Sequence, residues 1–162
     1  MNDDAKAGLN DREIWLDPGT SAGFLIRDTN LAFGRALRRR LAQYGMTTGQ
    51  YYFLRALWIE EGLSQRELSR RVGTTEPTTA SALRLLERKG LVKRVRNRRD
   101  RRTINIYPTA RGRNLKNELL AHAIRINETA VVGMSAEEIA YVRRILVEMK
   151  RNLDREDELG TA

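Results

Sequence analysis

From Ser21 to Tyr44, Phe24, Leu25, Leu31, Phe33, Leu37 and Leu41 recur at helical spacing among polar neighbours, and Gly45 supplies a stop. Arg35, Arg38, Arg39 and Arg40 crowd the later half of this stretch, where cations suit the negative end of a helix dipole. Thr47, with Gln50 three residues on, predicts a capping box that opens a second helix. Tyr51, Phe53, Leu54, Leu57 and Trp58 give that helix a heavy apolar face, and Gly62 closes it. Ser64 and Glu67 repeat the box, and Leu68 and Val72 lie four apart on a short helix ending near Gly73. Thr75 can cap the next helix, and Pro77 falls in its first turn, where a missing N–H costs nothing. Ala80, Leu83 and Leu86 form its inward stripe before Gly90.

The period then changes. Residues 91–95 and 103–107 read as two strands, with Ile104 and Ile106 pointing one way, and they flank a cluster of arginines. Thr109 starts a long helix to about Val132 that carries Leu115, Leu119, Leu120, Ala123 and Ile124. Ser135 and Glu138 mark a third capping box. The last helix carries Ile139, Val142, Ile145, Leu146, Met149 and Leu153, and its acidic end is expected to fray. Residues 1–20 read as a polar tail in which Ile14, Trp15 and Leu16 form an apolar knot, expected to fold back onto the body or a partner subunit. The fold class is mainly α with one small β-hairpin. The order helix, turn, helix, basic hairpin describes a winged helix-turn-helix.

Charge gives this module a partner. Of the 30 Lys/Arg, 14 lie in residues 64–112, with only 4 of the 21 Asp/Glu, so the segment carries +10 against +9 for the whole chain. Positive charge localised in this way suits a surface that meets a phosphate backbone. The chain's 162 residues suit one domain, or one such module with appended helices. The absence of cysteine excludes disulfides, zinc–thiolate sites and thiol switches, and the single histidine, His122, cannot build a multi-histidine metal site alone. There is no phosphate-binding glycine loop, no second histidine and no carboxylate pair in an apolar setting. An enzyme is therefore not expected, and neither a cofactor nor a metal is implied. No stretch approaches the roughly 18 consecutive apolar residues of a membrane span. The acidic N-terminus lacks the apolar core of a signal peptide, so a cytoplasmic protein with no membrane partner is expected.

A helix-turn-helix places its second helix in the major groove, where short polar side chains reach base edges without clashing. Thr75, Thr78, Thr79, Ser81 and Arg84 supply these, with Arg84 the candidate for a guanine or a phosphate contact. Glu76 either complements the helix dipole as a surface residue or reads a cytosine amino group. The hairpin loop holds five arginines in seven residues, namely Arg96, Arg98, Arg99, Arg101 and Arg102. Such a tip fits the narrow minor groove, and Asp100 among them is expected to orient one guanidinium by a bidentate pair.

At these residues the chain resembles the MarR family of bacterial transcriptional regulators. That family's wing carries an Asp-x-Arg pair, a strand and a Thr-x-x-Gly turn. Here Asp100, Arg101 and Arg102 precede TINIY and then Thr109 to Gly112. Leu68, Val72, Gly73, Pro77 and Thr78 match the helix-turn-helix pattern, as does the run from Leu86 to Val92, and the likeness covers roughly residues 21–155. Pro108, where leucine is commoner, and Glu76, where many relatives are neutral or basic, depart from it.

The resemblance implies a homodimer on a pseudo-palindromic operator in double-stranded DNA. Residues 47–109 would be the winged DNA-binding domain, and residues 21–46 and 110–157 a helical dimerisation region. The long apolar stripes, more than a 60-residue winged core could bury, agree. The family likeness further implies a repressor released by a small molecule of aromatic-acid or acyl-coenzyme A type. Phe24, Arg27, Asn30, Tyr44, Tyr51, Tyr52, Trp58 and His122 are the candidate lining residues. The main alternative is a ligand-independent nucleoid or architectural DNA-binding protein. A winged helix serving only protein contacts fits the local charge poorly.

Overall fold

The computed structural model describes residues 16–97, 100 and 102–160, with side chains through residue 156. It falls into two compact units, one up to Ala123 and one from Ile124.

In the first unit, helix α1 spans Ala22–Leu41 and tightens into a 3-10 turn, Ala42–Tyr44, before Gly45 adopts φ 58°. Helix α2, Thr48–Ile59, opens with the predicted capping box. Gln50 donates its N–H to Thr47 Oγ1 at 3.2 Å, and its side chain accepts from Thr47 N at 3.2 Å. Helix α3, Gln65–Val72, opens with the second box, Ser64 N donating to Glu67 at 2.7 Å, and ends at Gly73 with φ 70°. Helix α4, Glu76–Arg88, follows after the turn, with Pro77 in its first turn. The core gathers Leu41, Leu54, Leu57, Leu68, Leu83, Leu86, Ile106 and Leu119, all buried. Each such side chain contributes about 2 kcal/mol by leaving water.

The sheet has three antiparallel strands in the order β1-β3-β2: β1 Leu63–Ser64, β2 Val92–Arg96 and β3 Ile104–Pro108. The sequence predicts the β2–β3 hairpin but not β1, whose two residues are too few to show a period. Val92 faces Pro108 and Arg94 faces Ile106, so this side of the hairpin covers α4. There Arg94 Nε donates to Glu87 at 3.2 Å. Ile104 lies on the same face as Ile106 but remains 41% exposed, because the hairpin projects beyond the core there. Pro108 closes β3, where a missing N–H breaks no ladder.

Helix α5, Ala110–Ala130, begins in the first unit and ends in the second. Helix α6, Ala136–Gly160, opens with the third capping box, Ser135 N donating to Glu138 at 2.7 Å. Its acidic end is helical to Gly160 rather than frayed, and Lys150 pairs with Asp154 one turn away. Tyr141, Val142, Leu146 and Leu153 leave an apolar stripe on α6 exposed. Of the expected apolar knot, Ile14 and Trp15 lie outside the described residues. Leu16 is 78% exposed, so it does not fold back onto this chain.

Candidate nucleic-acid interface

Helix α4 has two chemically distinct sides. Thr75 caps it: Thr78 N donates to Thr75 Oγ1 at 3.4 Å, and the two hydroxyls lie 2.9 Å apart. Thr75, Thr78, Ser81 and Arg84 recur every third residue along one exposed flank, and Arg84 donates to Ser81 Oγ at 2.9 Å. Glu76 is exposed in the first turn, where its charge complements the helix dipole.

Thr79 does not belong to that flank, which corrects the expectation that it reads a base. It is 0% exposed, its hydroxyl donates to the Thr75 carbonyl at 3.0 Å, and it accepts from Ser69 Oγ at 2.8 Å. The physical reason is helical phase. Thr79, Leu83 and Leu86 follow a four-then-three spacing on the inward stripe, all buried, whereas Ala80, assigned to that stripe from the sequence, is only half-buried. Ser69, which the sequence reading missed, is the matching group on α3.

The wing loop is held by its own polar side chains. The Asp100 carboxylate accepts from the Arg102 N–H at 3.0 Å and from the Thr103 hydroxyl at 2.6 Å, and Asp100 N donates to Asn97 Oδ1 at 3.1 Å. Asn97 N in turn donates to the Thr103 carbonyl at 2.9 Å, closing the loop. The Thr103 hydroxyl and then the Arg102 N–H hold the Asp100 carboxyl below its ordinary range. Among the described residues Asp100 therefore folds the backbone rather than gripping a guanidinium. The run Asn97, Asp100, Thr103 was a readable signal, since such side chains favour bonds to backbone a few residues away. Arg96 and Arg102 are exposed, whereas Arg98, Arg99 and Arg101 lie outside the described residues.

The root of the wing is fastened to α5. Thr109 Oγ1 donates to the Gly90 carbonyl at 2.6 Å and accepts from Gly112 N at 3.1 Å, while Thr109 N donates to the Leu91 carbonyl at 3.0 Å. A Cβ on Gly112 would overlap the Leu91 carbonyl oxygen, which explains why a glycine stands three residues after the threonine. Arg113 adds a two-pronged pair to Glu61, at 2.7 and 2.6 Å, and this pair holds the Glu61 carboxyl below its ordinary range.

The structure joins some of the candidate ligand residues in small groups and leaves others apart. Phe24, Arg27 and Asn30 are exposed on α1, and Arg27 pairs with Asp28 at 3.0 Å. Tyr51 is 1% exposed, packs edge-on to Trp58 and tilts against Tyr52. Trp58 directs its indole N–H to the Gly112 carbonyl at 3.0 Å and so joins α2 to α5. Tyr44 and Gln43 both meet His122 Nε2, at 3.0 and 3.1 Å, and burial, then the hydrogen bond its hydroxyl donates to Glu118, pushes the Tyr44 phenol up to about 12. Tyr52 lines a shallow cavity of about 240 Å³ with Arg55, Ile59 and Arg71, and none of the other candidates lines it.

Comparison with known proteins bears on this arrangement. A sequence profile described as the MarR family matches residues 44–103. The transcriptional regulator SarZ of Staphylococcus aureus is 30% identical over 118 residues, which cover 72% of this chain and 78% of SarZ. The chain belongs to the MarR family.

MarR-family proteins are DNA-binding transcriptional regulators. The regulator TtmR of Methylorubrum extorquens is 39% identical over 109 residues, 66% of this chain, although the match spans only about half, 54%, of TtmR. The crystal structure of a Staphylococcus aureus MepR–DNA complex superposes with a TM-score of 0.75 at 27% identity, over 81% of this chain and 97% of that one. Among the described residues, no helix is long and apolar enough to cross a membrane.

Proposed function

We propose that this MarR-family regulator acts as a homodimeric repressor. Two copies pair through residues 21–46 and 110–157, and their winged modules, residues 47–109, enter successive major grooves of a pseudo-palindromic operator. Thr75, Thr78, Ser81 and Arg84 face base edges and the adjoining backbone. Arg96 and Arg102, with Arg98, Arg99 and Arg101, serve the minor groove, and Asp100 shapes the loop that carries them. The observation that carries this reading is the exposed hydroxyl-and-arginine flank of α4 on the same small unit as an arginine-rich hairpin. The exposed apolar side chains of α1 and α6, Phe24, Leu25 and Leu31 on one and Val142, Leu146 and Leu153 on the other, support pairing of two chains.

A small effector of aromatic-acid or acyl-coenzyme A type releases the operator by binding the non-competent arrangement more tightly. Among the candidate contacts, Tyr44 and His122 are joined by a hydrogen bond.

Footprinting on DNA upstream of the protein's own coding segment tests the reading, repeated across a panel of aromatic acids and their coenzyme A esters. Two protected half-sites about one helical turn apart are expected. Operator binding should exceed binding to random duplex by about three decades or more, and one member of the panel should abolish protection. Uniform weak protection, or a monomer by sedimentation at the same concentration, would refute it.

A further inference from the structure

The wing sheet has a second face that the operator contacts above do not use. Because Val92, Arg94, Ile106 and Pro108 turn toward the core side, the alternation of the strands turns Lys93, Val95, Asn105 and Tyr107 outward. Lys93 stands opposite Tyr107 and Val95 opposite Asn105. With Asn97 at the root of the arginine loop and Arg113 on the first turns of α5, they line an open groove of about 590 Å³, and Arg96 completes its rim.

The groove is basic. Lys93, Arg96 and Arg113 line it, and no carboxylate does. The acid beside it, Glu61, is gripped by Arg113 and feels Lys93 as well, so two of the three cations share one carboxylate. Its floor mixes amide, phenol and one valine, and it opens to solvent along its length. Such a trough does not enclose a small apolar molecule, but it can accept a chain of phosphates, to which lysine, arginine, tyrosine and asparagine side chains all donate.

Its position selects the source of those phosphates. The groove starts at Asn97, the residue that accepts the Asp100 N–H inside the arginine loop. A minor groove is about 6 Å wide and bordered by two phosphate rows, so a hairpin standing over it with its loop arginines inserted has one row beside each flank. One flank of this hairpin faces α4, and the other is the basic trough. Lys93 lies three residues before Arg96, about 10 Å further along the strand, and so meets backbone beyond that reached from the loop.

We infer that the outer face of the wing sheet is a second phosphate-binding surface that holds duplex DNA flanking the operator, with Lys93 as its leading contact and Arg96, Arg113 and Tyr107 beside it. The inference rests on the wing entering DNA as proposed above. It makes the footprint of each subunit longer than the recognition helix and loop alone would give.

The test uses two duplexes carrying an operator selected from a random library: a core duplex of about 20 base pairs and the same core extended by about 10 base pairs of arbitrary sequence on each side, one further helical turn. Full-length wild type and Lys93→Gln are titrated against both by fluorescence anisotropy at several salt concentrations. Wild type is expected to bind the extended duplex about 5- to 10-fold more tightly, with a steeper salt dependence. Lys93→Gln should lose that advantage, keep the core affinity, and flatten the extended-duplex salt slope by about one unit per contact removed in each subunit. Lys93→Arg should restore both. Thermal melting of the exposed Lys93→Gln variant, matching wild type, shows that the fold is intact.

Equal wild-type affinity for the two duplexes overturns the inference while leaving the operator reading standing. So does an extended-duplex advantage that survives Lys93→Gln, or a loss that falls equally on both duplexes. If wild type binds neither duplex, the operator reading fails and the inference fails with it.

Discussion

Ser69 and Thr79 join the two helices of the helix-turn-helix through a buried hydroxyl-to-hydroxyl bond of 2.8 Å. The bond belongs to a relay in which Thr79 donates to the Thr75 carbonyl and so frees its oxygen to accept from Ser69. Thr79→Val keeps the volume but leaves the Ser69 hydroxyl with only the Gln65 carbonyl, 2.9 Å away. A loss of about 1–2 kcal/mol in urea-induced unfolding is expected. Affinity for operator and for random DNA should fall by the same factor. A variant as stable as wild type but altered in base preference would return Thr79 to the DNA surface.

Gly112 tolerates no side chain, because its Cβ would run into the Leu91 carbonyl oxygen, which is backbone and cannot swing aside. Gly112→Ala should cost about 3 kcal/mol, at the upper end of overpacking penalties, and lower the melting temperature accordingly. The Leu91 carbonyl also accepts the Thr109 N–H, so that bond should loosen too, visible as faster amide exchange at Thr109. Unchanged melting would show that the wing root yields more readily than its geometry indicates.

Asp100 and Arg102 have separable roles. Arg102→Ala removes an exposed guanidinium and should weaken operator binding by tenfold or more, with a shallower salt slope and an unchanged fold. Asp100→Ala removes the acceptor for Arg102 N and Thr103 Oγ1 but no positive charge. It should weaken binding by about tenfold, the factor of one well-made hydrogen bond, while the salt slope stays as in wild type. A steeper slope with tighter binding in Asp100→Ala would mean that this carboxylate only repels DNA.

Acid sensitivity should follow the capping box of α3. The Ser64 hydroxyl and then the Ser64 N–H hold the Glu67 carboxyl below its ordinary 4.5. A group depressed in the folded state stabilises above its unfolded pKa, and that stabilisation is lost as pH falls from 4.5 through the lower folded value. Glu67 is exposed, so its share is less than about 1 kcal/mol. Glu67→Gln keeps an acceptor for Ser64 N but cannot titrate. The stability difference between wild type and variant should therefore shrink between pH 5 and about pH 3. A difference that stays constant across that interval would refute the box as its source.

The helices, their caps and the hairpin were legible because each rests on local chemistry: Thr47 with Gln50, Ser64 with Glu67 and Ser135 with Glu138 bond as their spacing predicts. Thr79 was misread because adjacent residues at the start of α4 differ by about 100° of helical phase, and a run of threonines does not show which one turns inward. Tyr51 and Trp58, spaced as a core face would be, meet edge-on, with Tyr51 buried and Trp58 half-buried. Strand β1 and the outward face of Lys93 depend on pairing with β3, a partner about 40 residues downstream of β1.

Helix α5 leaves the wing root with its first turns tethered: Thr109 to Gly90, Trp58 to Gly112 and Arg113 to Glu61. It then continues without interruption to Ala130. Within the first unit it runs on to Ala123 with no proline and no glycine past Gly112, so this stretch turns as one piece with its tethered residues. A push anywhere along that stretch, about 20 Å by helical rise, therefore reaches the wing root through a residue without a side chain.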